Sequence, residues 1–495
     1  MKAISILGTS SNAGKSWLAT AIGALLRRRG YRVAPFKAQN MSNNAYVTLT
    51  GGEIGRAQAV QAEACGVVPT VEMNPILLKP TGENGSQLVV MGEAHSHVSG
   101  GDYYQRIAQL WPIVCGALET LQSQYDVLVL EGAGSPVELN LMDRDLVNLR
   151  PVRHLDGRWI LVADIERGGV FPQIIGTYHL MPEEDRRRGL GVVVNKFRGD
   201  LSLFSEAREC LAQHIALPYL GVLPYRGDLQ PETEDGVNPE QERGVSGGDN
   251  VIAWIRFPHH ANTSDAEPWS LDRGISIRWV TRPEQLAAAK AIVLPGSKNT
   301  IADLDWLRTS GLADAILAAH RRGVLVAGIC GGYQILGETL SDVSGVAGQA
   351  GEKKGLGLLP LETTYENRKK VTQVETFFAD EAWLSYEIHM GQTRLSAGLP
   401  QLWQVRRNAS DSSRVGEGCL RVKTTQGGAV WGTYLHGLFE SGAMRTEFTR
   451  QAGMSGHEAA KVSWRGHLQT VYAGMADLLE ERLELDAVWK YLDGK

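Results

Sequence analysis

The chain has 495 residues, more than a single hydrophobic core usually supports, and its 43% hydrophobic content is ordinary for a globular protein. A formal net charge of -5 provides no basic surface for nucleic acid, and no apolar run is long enough to predict a membrane span. The five cysteines are scattered without metal-ligand spacing, so we expect a reducing, cytoplasmic setting and no signal peptide.

The beginning of the chain has the pattern of a phosphate-binding loop. A strand is predicted over 3–7 and an amphipathic helix over 17–29, with the loop Gly8-Thr-Ser-Ser-Asn-Ala-Gly-Lys-Ser16 between them. Backbone N–H groups of such a loop can hold phosphate oxygens, so we expect Lys15 to reach the terminal phosphates of ATP and the Ser16 hydroxyl to bind Mg²⁺. The predicted nucleotide contacts are Gly8, Thr9, Ser10, Asn12, Ala13, Gly14, Lys15, Ser16 and the distant Asn195.

Three later apolar runs each end in a polar residue. The carboxyl ends of parallel strands form the ligand-binding edge of an open α/β sheet, so we interpret Glu131 as a Mg²⁺ ligand. Asp164 fits either a second carboxylate on the metal and acceptor side or a helix N-cap. Asn195 resembles the adenine-reading asparagine of this fold group, although asparagine is also an ordinary turn former. The three runs cover 126–130, 159–164 and 191–194.

An acidic stretch follows the Glu131 loop. It contains Glu138, Asp143 and Asp145, and carboxylates in this place fit the orientation of an acceptor substrate. A solvated acidic surface explains the same residues equally well. We keep Asp143 and Asp145, together with Asp164, as acceptor-side candidates.

A change in composition divides the chain. Residues 228–250 are rich in Glu, Pro and Gly and lack apolar periodicity, which predicts a surface linker between domains 1–227 and 251–495. Short apolar strands alternate with helices in both domains, which predicts an α/β fold with two doubly wound, mostly parallel sheets. In the second domain the strands are expected over 251–257, 277–280 and 291–294, and a long helix over 301–322.

A cysteine lies at a predicted bend in the second domain. The apolar strand 324–329 leads to Cys330, and a helix is expected from Gly331 onward. A thiol at a helix N-terminus is favoured as thiolate, and the flanking glycines allow the tight turn of a nucleophile elbow. A buried core cysteine is the alternative, but a packed strand has no use for these glycines. His436, at the end of a later apolar run, is the candidate base.

These residues resemble the class I glutamine amidotransferases, in which Gly-x-Cys-x-Gly-x-Gln is followed much later by a strand-end histidine. The resemblance implies that Cys330 attacks the side-chain amide of glutamine and that Gln334 holds this substrate. It also implies an oxyanion site formed by Gly331 with Gly296 or Ser297. The family usually has glutamate two residues after the histidine. Here that position is Leu438, which implies a Cys–His dyad without an acidic partner.

The first domain resembles dethiobiotin synthetase and its relatives, which phosphorylate a carboxylate, and nearly the whole chain resembles the cobyric acid synthase family. The second resemblance implies ATP- and glutamine-dependent amidation of the b, d, e and g carboxylates of adenosylcobyrinic acid a,c-diamide, through acyl phosphates. Two alternatives stay open: a cobyrinic acid a,c-diamide synthase, and a regulatory P-loop ATPase with an inactive amidotransferase-like module. The marks of the resemblance are Phe36-Lys-Ala-Gln-Asn-Met-Ser-Asn-Asn44, Leu294-Pro-Gly-Ser-Lys-Asn299, Tyr386-Glu-Ile-His-Met-Gly391 and Gly432-Thr-Tyr-Leu-His-Gly-Leu-Phe439.

Overall fold

Two six-stranded sheets form the centres of two α/β units in the computed structural model. All strand pairs of the first sheet are parallel. In spatial order its strands are Tyr219–Pro224, Gly189–Phe197, Arg158–Asp164, Lys2–Gly8, Val127–Glu131 and Val33–Phe36. The structure describes residues 1–82, 85–232, 250–346, 350–395, 398–407, 413–457 and 459–494.

Helices cover both faces of the first sheet. The helix Lys15–Arg28 buries Leu18, Ile22 and Leu25 in a core shared with the sheet, as its apolar spacing predicts. The helix ends just before Gly30. The φ of Gly30 is 86°, a conformation that is unfavourable for a residue with a side chain. The other helices of this unit are Arg56–Cys65, Gly100–Gln105, Ile107–Gln124, Leu149–His154, Val170–Leu180, Glu183–Arg186 and Ala207–Ala212.

A small four-stranded sheet and a short strand pair extend the first unit toward the second. The small sheet contains Gln39–Met41, Ile76–Gly82, Gly85–Val90 and Glu93–Val98, and the pair is Ala45–Val47 with Glu53–Gly55. In the chain, the pair lies between the strand Val33–Phe36 and the helix Arg56–Cys65. It also contacts the second unit, since Tyr46 and Tyr386 have ring centroids 6.1 Å apart.

The second sheet is parallel except at one edge, where Cys419–Arg421 runs antiparallel to its neighbour. The predicted helix over 301–322 is wrong in one respect, because it is two helices, Thr300–Thr309 and Leu312–Arg321. Gly311 separates them with a φ of 77°, outside the helical region. The other strands of the second sheet are Ile275–Val280, Asn250–Ile255, Ala289–Leu294, Leu325–Ile329 and Val430–Thr433.

A third sheet covers the cysteine side of the second unit. Its long hairpin, Leu361–Phe378 with Glu381–Leu395, brings residues 386–391 next to the cysteine and histidine. The other strands are Thr339–Asp342, Gly351–Lys354, Trp403–Arg406 and Val415–Glu417, and a short pair joins His260–Ala261 to Gly296–Ser297. Among the described residues before 460, the remaining α-helices are Gly331–Ile335 and Gly442–Gln451, and Thr263–Leu271 forms a 3₁₀ helix.

The last two helices, Trp464–Arg482 and Asp486–Asp493, pack on the first unit. Leu468, Met475 and Leu479 join the core that contains the helix after the phosphate loop. This packing differs from the predicted second domain of 251–495, because the amphipathic pattern of a helix does not say which sheet it covers. The predicted linker has a buried residue at its start, Glu232, and its residues 233–249 lie outside the described ranges.

Candidate active sites

The loop between the first strand and the first helix has the geometry of a phosphate cradle. Gly14, with a φ of 104°, precedes the helix, and a Cβ there would lie 1.9 Å from the Nδ2 atom of Asn195. Lys15 extends across the loop, and its Nζ donates to the carbonyl oxygens of Ser10 at 2.9 Å and Gly134 at 3.0 Å. The carbonyl oxygens of Ser10 and Gly134 therefore hold the Lys15 ammonium group at the carboxyl edge of the sheet.

The two predicted metal ligands lie side by side. Ser16 Oγ donates to Glu131 Oε1 at 2.9 Å, and Glu131 is only 1% exposed at the end of its strand. Lys37 Nζ donates to the same oxygen at 2.8 Å, and Gln61 Nε2 donates to Oε2. A hydroxyl and a carboxylate next to a phosphate loop are the hard oxygen donors that Mg²⁺ prefers, so the residues fit this ion. Within the described ranges, three or more His, Cys, Asp or Glu side chains do not cluster as a metal site.

Asn195 contacts the loop, and Asp164 lies opposite Asn195 at the end of the neighbouring strand. Asn195 Nδ2 donates to the Ala13 carbonyl at 3.0 Å, so this side chain fixes the loop, and its contact with adenine stays a prediction. Asp164 accepts from the backbone N–H of Glu166 at 2.8 Å and pairs with Lys196 at 3.0 Å. It therefore closes a turn rather than capping a helix, since the next helix begins after Gly169.

The acidic stretch separates into a structural residue and exposed ones. Asp145 accepts backbone N–H groups of residues 147, 148 and 149 at 3.0, 2.8 and 2.6 Å. Both of its carboxylate oxygens are thus engaged at the start of a helix, and its acceptor-side role stays a prediction. Asp143 and Glu138 are exposed. For Asp143 the acceptor-side role stays a prediction.

Cys330 lies at a strained elbow. Its φ of 53° and ψ of -106° are unfavourable for a residue with a side chain, and such strain is common where a nucleophile must be presented. The turn is possible because its neighbours are glycines: a Cβ on Gly332 would lie 1.9 Å from the Leu294 carbonyl oxygen. A Cβ on Gly331 would lie 2.8 Å from the Ser297 nitrogen. The two predicted oxyanion donors, Gly331 and Ser297, are therefore adjacent.

His436 is buried and oriented by an acidic residue that the sequence did not reveal. Its Nδ1 lies 2.7 Å from Asp265 Oδ2, while Asp265 Oδ1 accepts the backbone N–H of Gly437 at 2.7 Å. The implied dyad without an acidic partner is therefore wrong. The family's glutamate is replaced by Leu438, and the carboxylate is supplied instead by Asp265, 171 residues before His436 in the chain. Asp265 follows an Asn-Thr-Ser run after the first strand of its sheet, and no sequence signal linked it to His436.

The electrostatics of His436 favour its charged form. Burial alone would lower the pKa of this imidazole, but the Asp265 carboxylate and Cys330 together raise it to about 10. An imidazolium next to a cysteine stabilises the thiolate, which is the nucleophilic form. The ring also stacks on Tyr386 at a centroid distance of 5.2 Å, and a Cβ on Gly296 would lie 3.0 Å from His436 Cε1.

One cavity of about 1010 Å³ joins these groups. Cys330, His436 and Gln334 line it, as do Gly296 and Ser297. Gln334 accepts from Tyr365 OH at 2.7 Å and from Thr300 Oγ1 at 3.3 Å, so its amide is held at the wall of the cavity. Residues of the small sheet and the strand pair of the first unit line its other side.

The segment that follows the second strand connects the two sites. It begins at Lys37, which contacts Glu131, and ends at Asn44 and Ala45. Asn44 accepts from Thr263 N at 3.1 Å and donates to Thr263 Oγ1 at 3.3 Å, while Ala45 N donates to Asn262 Oδ1 at 3.1 Å. The amide of Asn262 lies 3.1 Å from His436 Nε2. A short run of chain thus contacts the predicted metal ligand at one end and the environment of His436 at the other.

Comparison with known proteins matches both units. The family described as a CobQ/CobB/MinD/ParA nucleotide binding domain matches residues 4–238, and a CobB/CobQ-like glutamine amidotransferase domain matches residues 251–444. The cobyric acid synthase of Chloroflexus aurantiacus is 44% identical over 453 residues, which cover 90% of this chain and 91% of the relative. The cobyric acid synthase of Roseiflexus castenholzii is 44% identical over 456 residues, which cover 91% of each chain. The cobyric acid synthase of Trichodesmium erythraeum is 40% identical over 497 residues, covering 99% of this chain and 100% of the relative.

Fold, site and relatives together define a glutamine-dependent amidating ligase with a nucleotide-binding domain. The chain belongs to the cobyric acid synthase family. Within the described ranges, the structure has no helix that is long and apolar enough to cross a membrane.

Proposed function

We propose that this enzyme amidates the b, d, e and g carboxylates of adenosylcobyrinic acid a,c-diamide, using ATP and glutamine, to form adenosylcobyric acid. The observation that carries the proposal is the presence, in a chain 44% identical to a cobyric acid synthase, of two groups of residues that suit the two half-reactions. One group is the loop of Lys15 with the Ser16–Glu131 pair, and the other is Cys330 with His436 and Asp265.

In the first half-reaction, an oxygen of the corrin carboxylate attacks the γ-phosphorus of ATP and ADP leaves, giving an acyl phosphate. The carboxylate becomes reactive because phosphate is a good leaving group. Lys15 neutralises negative charge on the transferred phosphoryl group, and the loop N–H groups hold the phosphate oxygens. Mg²⁺ bound by Ser16 and Glu131 would neutralise further phosphate charge.

In the second half-reaction, the Cys330 thiolate attacks the amide carbon of glutamine. The backbone N–H groups of Gly331 and Ser297 stabilise the oxyanion, and the His436 imidazolium gives its proton to the departing ammonia. Water then hydrolyses the thioester to glutamate and restores the thiol. Ammonia attacks the carbonyl carbon of the acyl phosphate and phosphate leaves, which completes the amide.

The test is a product analysis by mass spectrometry. Purified protein is incubated with ATP, Mg²⁺, the a,c-diamide corrinoid and glutamine labelled with heavy nitrogen in its side-chain amide. We expect label in each of the newly formed amides and a final product that carries amides at b, d, e and g. A protein that instead converts unamidated cobyrinic acid to the a,c-diamide would contradict the proposal and support the other synthase.

A further inference from the structure

Three lysines and one glutamate form a cluster in the wall of the cavity that contains Cys330. Lys79 Nζ donates to Glu53 Oε2 at 2.9 Å, and Lys369 pairs with Oε1 of the same carboxylate. Lys298 Nζ lies nearby and donates to the side-chain oxygen of Gln87 at 2.6 Å. The first unit supplies Glu53, Lys79 and Gln87, while the second unit supplies the other two lysines.

The cluster has more positive than negative charge. One carboxylate, Glu53, is shared by two lysines, and among the described residues Lys298 has no carboxylate partner. Burial lowers the pKa of Lys298 well below its ordinary value, and the charges of Lys369 and Lys79 lower it further. A positive charge on Lys298 is disfavoured in this environment, so an anion bound beside it would stabilise the charged form.

The position of Lys298 indicates which anion this is. It directly follows Ser297, whose backbone N–H lies against Gly331 in the predicted oxyanion site. It lines the same cavity as Cys330 and Gln334. A glutamine molecule with its side-chain amide at Cys330 must place its α-carboxylate elsewhere in this cavity, within a few bonds of the reacting carbon.

We propose that Lys298 binds the α-carboxylate of glutamine and so selects glutamine over amides that lack this group. The inference rests on the proposed function, because it takes glutamine as the substrate at Cys330. A carboxylate of the corrinoid would offer the same chemistry. A corrinoid carboxylate that is to be phosphorylated must lie near the phosphate loop, whereas Lys298 lies next to the oxyanion turn.

The experiment measures binding in the full chain with Cys330→Ala, which cannot turn over glutamine. Calorimetry compares glutamine with glutamine α-amide, whose α-carboxylate is replaced by a neutral group. A hydrogen bond to a charged group typically changes affinity by about 10- to 100-fold. We therefore expect Lys298→Met, added to Cys330→Ala, to weaken glutamine binding by this factor and to leave the α-amide unchanged. Lys298→Arg should retain most of the affinity, and Lys290→Met, at an exposed lysine of the same unit, serves as the control.

Equal weakening of both ligands would overturn the proposal, because it would indicate a structural role for Lys298. The proposal would also fail if glutamine binding were unchanged while ammonia-dependent amidation acquired a higher KM for the corrinoid. These outcomes differ from failure of the proposed function, which would appear as the absence of amidated corrinoid with the unaltered protein. Binding at Lys298 is measured without the corrinoid and without turnover.

Discussion

Around Glu131 one buried carboxylate accepts hydrogen bonds from several donors, whereas the His436 imidazole is held by a single carboxylate. Ser16, Lys37 and Gln61 all donate to Glu131, and Lys15 donates to loop carbonyls. These bonds must be exchanged when phosphate and metal oxygens arrive. His436 and Asp265 need no such exchange. The geometry of the nucleotide site is therefore completed by its ligands, while the His436–Asp265 pair is already set by the protein.

Removing the thiol is expected to give the largest difference between glutamine-dependent and ammonia-dependent amidation. We expect Cys330→Ala to abolish glutamine-dependent amidation and to leave ammonia-dependent amidation unchanged, because only the source of nitrogen requires the thiol. The measurement is corrinoid amidation with glutamine and with an ammonium salt in parallel. Equal loss with both nitrogen sources would show that the two sites are not independent.

Changes in the nucleotide site are expected to do the reverse: they should reduce amidation with either nitrogen source and leave the glutaminase activity. Lys15→Ala and Glu131→Gln should each slow amidation about a hundredfold to a thousandfold with either nitrogen source, because both residues stabilise charge before ammonia is needed. Glutaminase activity at Cys330 should persist at its basal level in both variants. Normal ammonia-dependent amidation by one variant would remove that residue from the catalytic set.

Asp265→Asn tests whether the protein itself sets the geometry around His436. Asparagine keeps the shape but removes the charge, so we expect glutaminase kcat to fall by about 10²- to 10⁴-fold while ammonia-dependent amidation is unchanged. The pKa of His436 is raised to about 10 by Asp265 and Cys330 against burial, and it should fall in the variant. Alkylation of Cys330 by iodoacetamide at neutral pH should then be slower than in the unaltered protein.

The same variant has a signature in stability. A histidine whose pKa is raised on folding stabilises the protein fully below its unfolded pKa of roughly 6.5 and loses this contribution as pH rises towards about 10. The difference in unfolding free energy between the unaltered protein and Asp265→Asn should therefore shrink as pH increases over this interval. A difference that is independent of pH would mean that Asp265 acts only through packing.

The smallest expected effect concerns the contact between the two halves. Asn44→Ala removes both hydrogen bonds to Thr263 and loosens the turn that contains Asn262, which contacts His436. We expect glutaminase to fall about 5- to 30-fold, as for a coupling of about 1–2 kcal/mol, with ammonia-dependent amidation unchanged. The control is Asn140→Ala, an exposed asparagine of the first unit. An unaltered glutaminase rate would indicate that His436 is positioned by its own unit alone.

The features that the sequence predicted best are those that depend only on residues close together in the chain. The phosphate loop and the elbow at Cys330 each depend on glycines and an apolar strand within about ten residues, so their local pattern is informative. The break at Gly311 was also within reach, since Ser-Gly in a helical run is a stop signal. Asp265 was not, because its contact with His436 depends on how distant strands are ordered in the sheet.

The packing of the last helices has a consequence for how the protein is made. The hydrophobic core around Leu18 and Ile22 includes Leu468, Met475 and Leu479, and Tyr491 OH accepts the backbone N–H of Ala3. A ribosome releases the chain from its N-terminus onward. The core of the first unit therefore stays incomplete, with the apolar face of its first helix exposed, until residues 464–493 have been synthesised. The amidotransferase unit, between the two parts of this core in sequence, is complete before its partner can be.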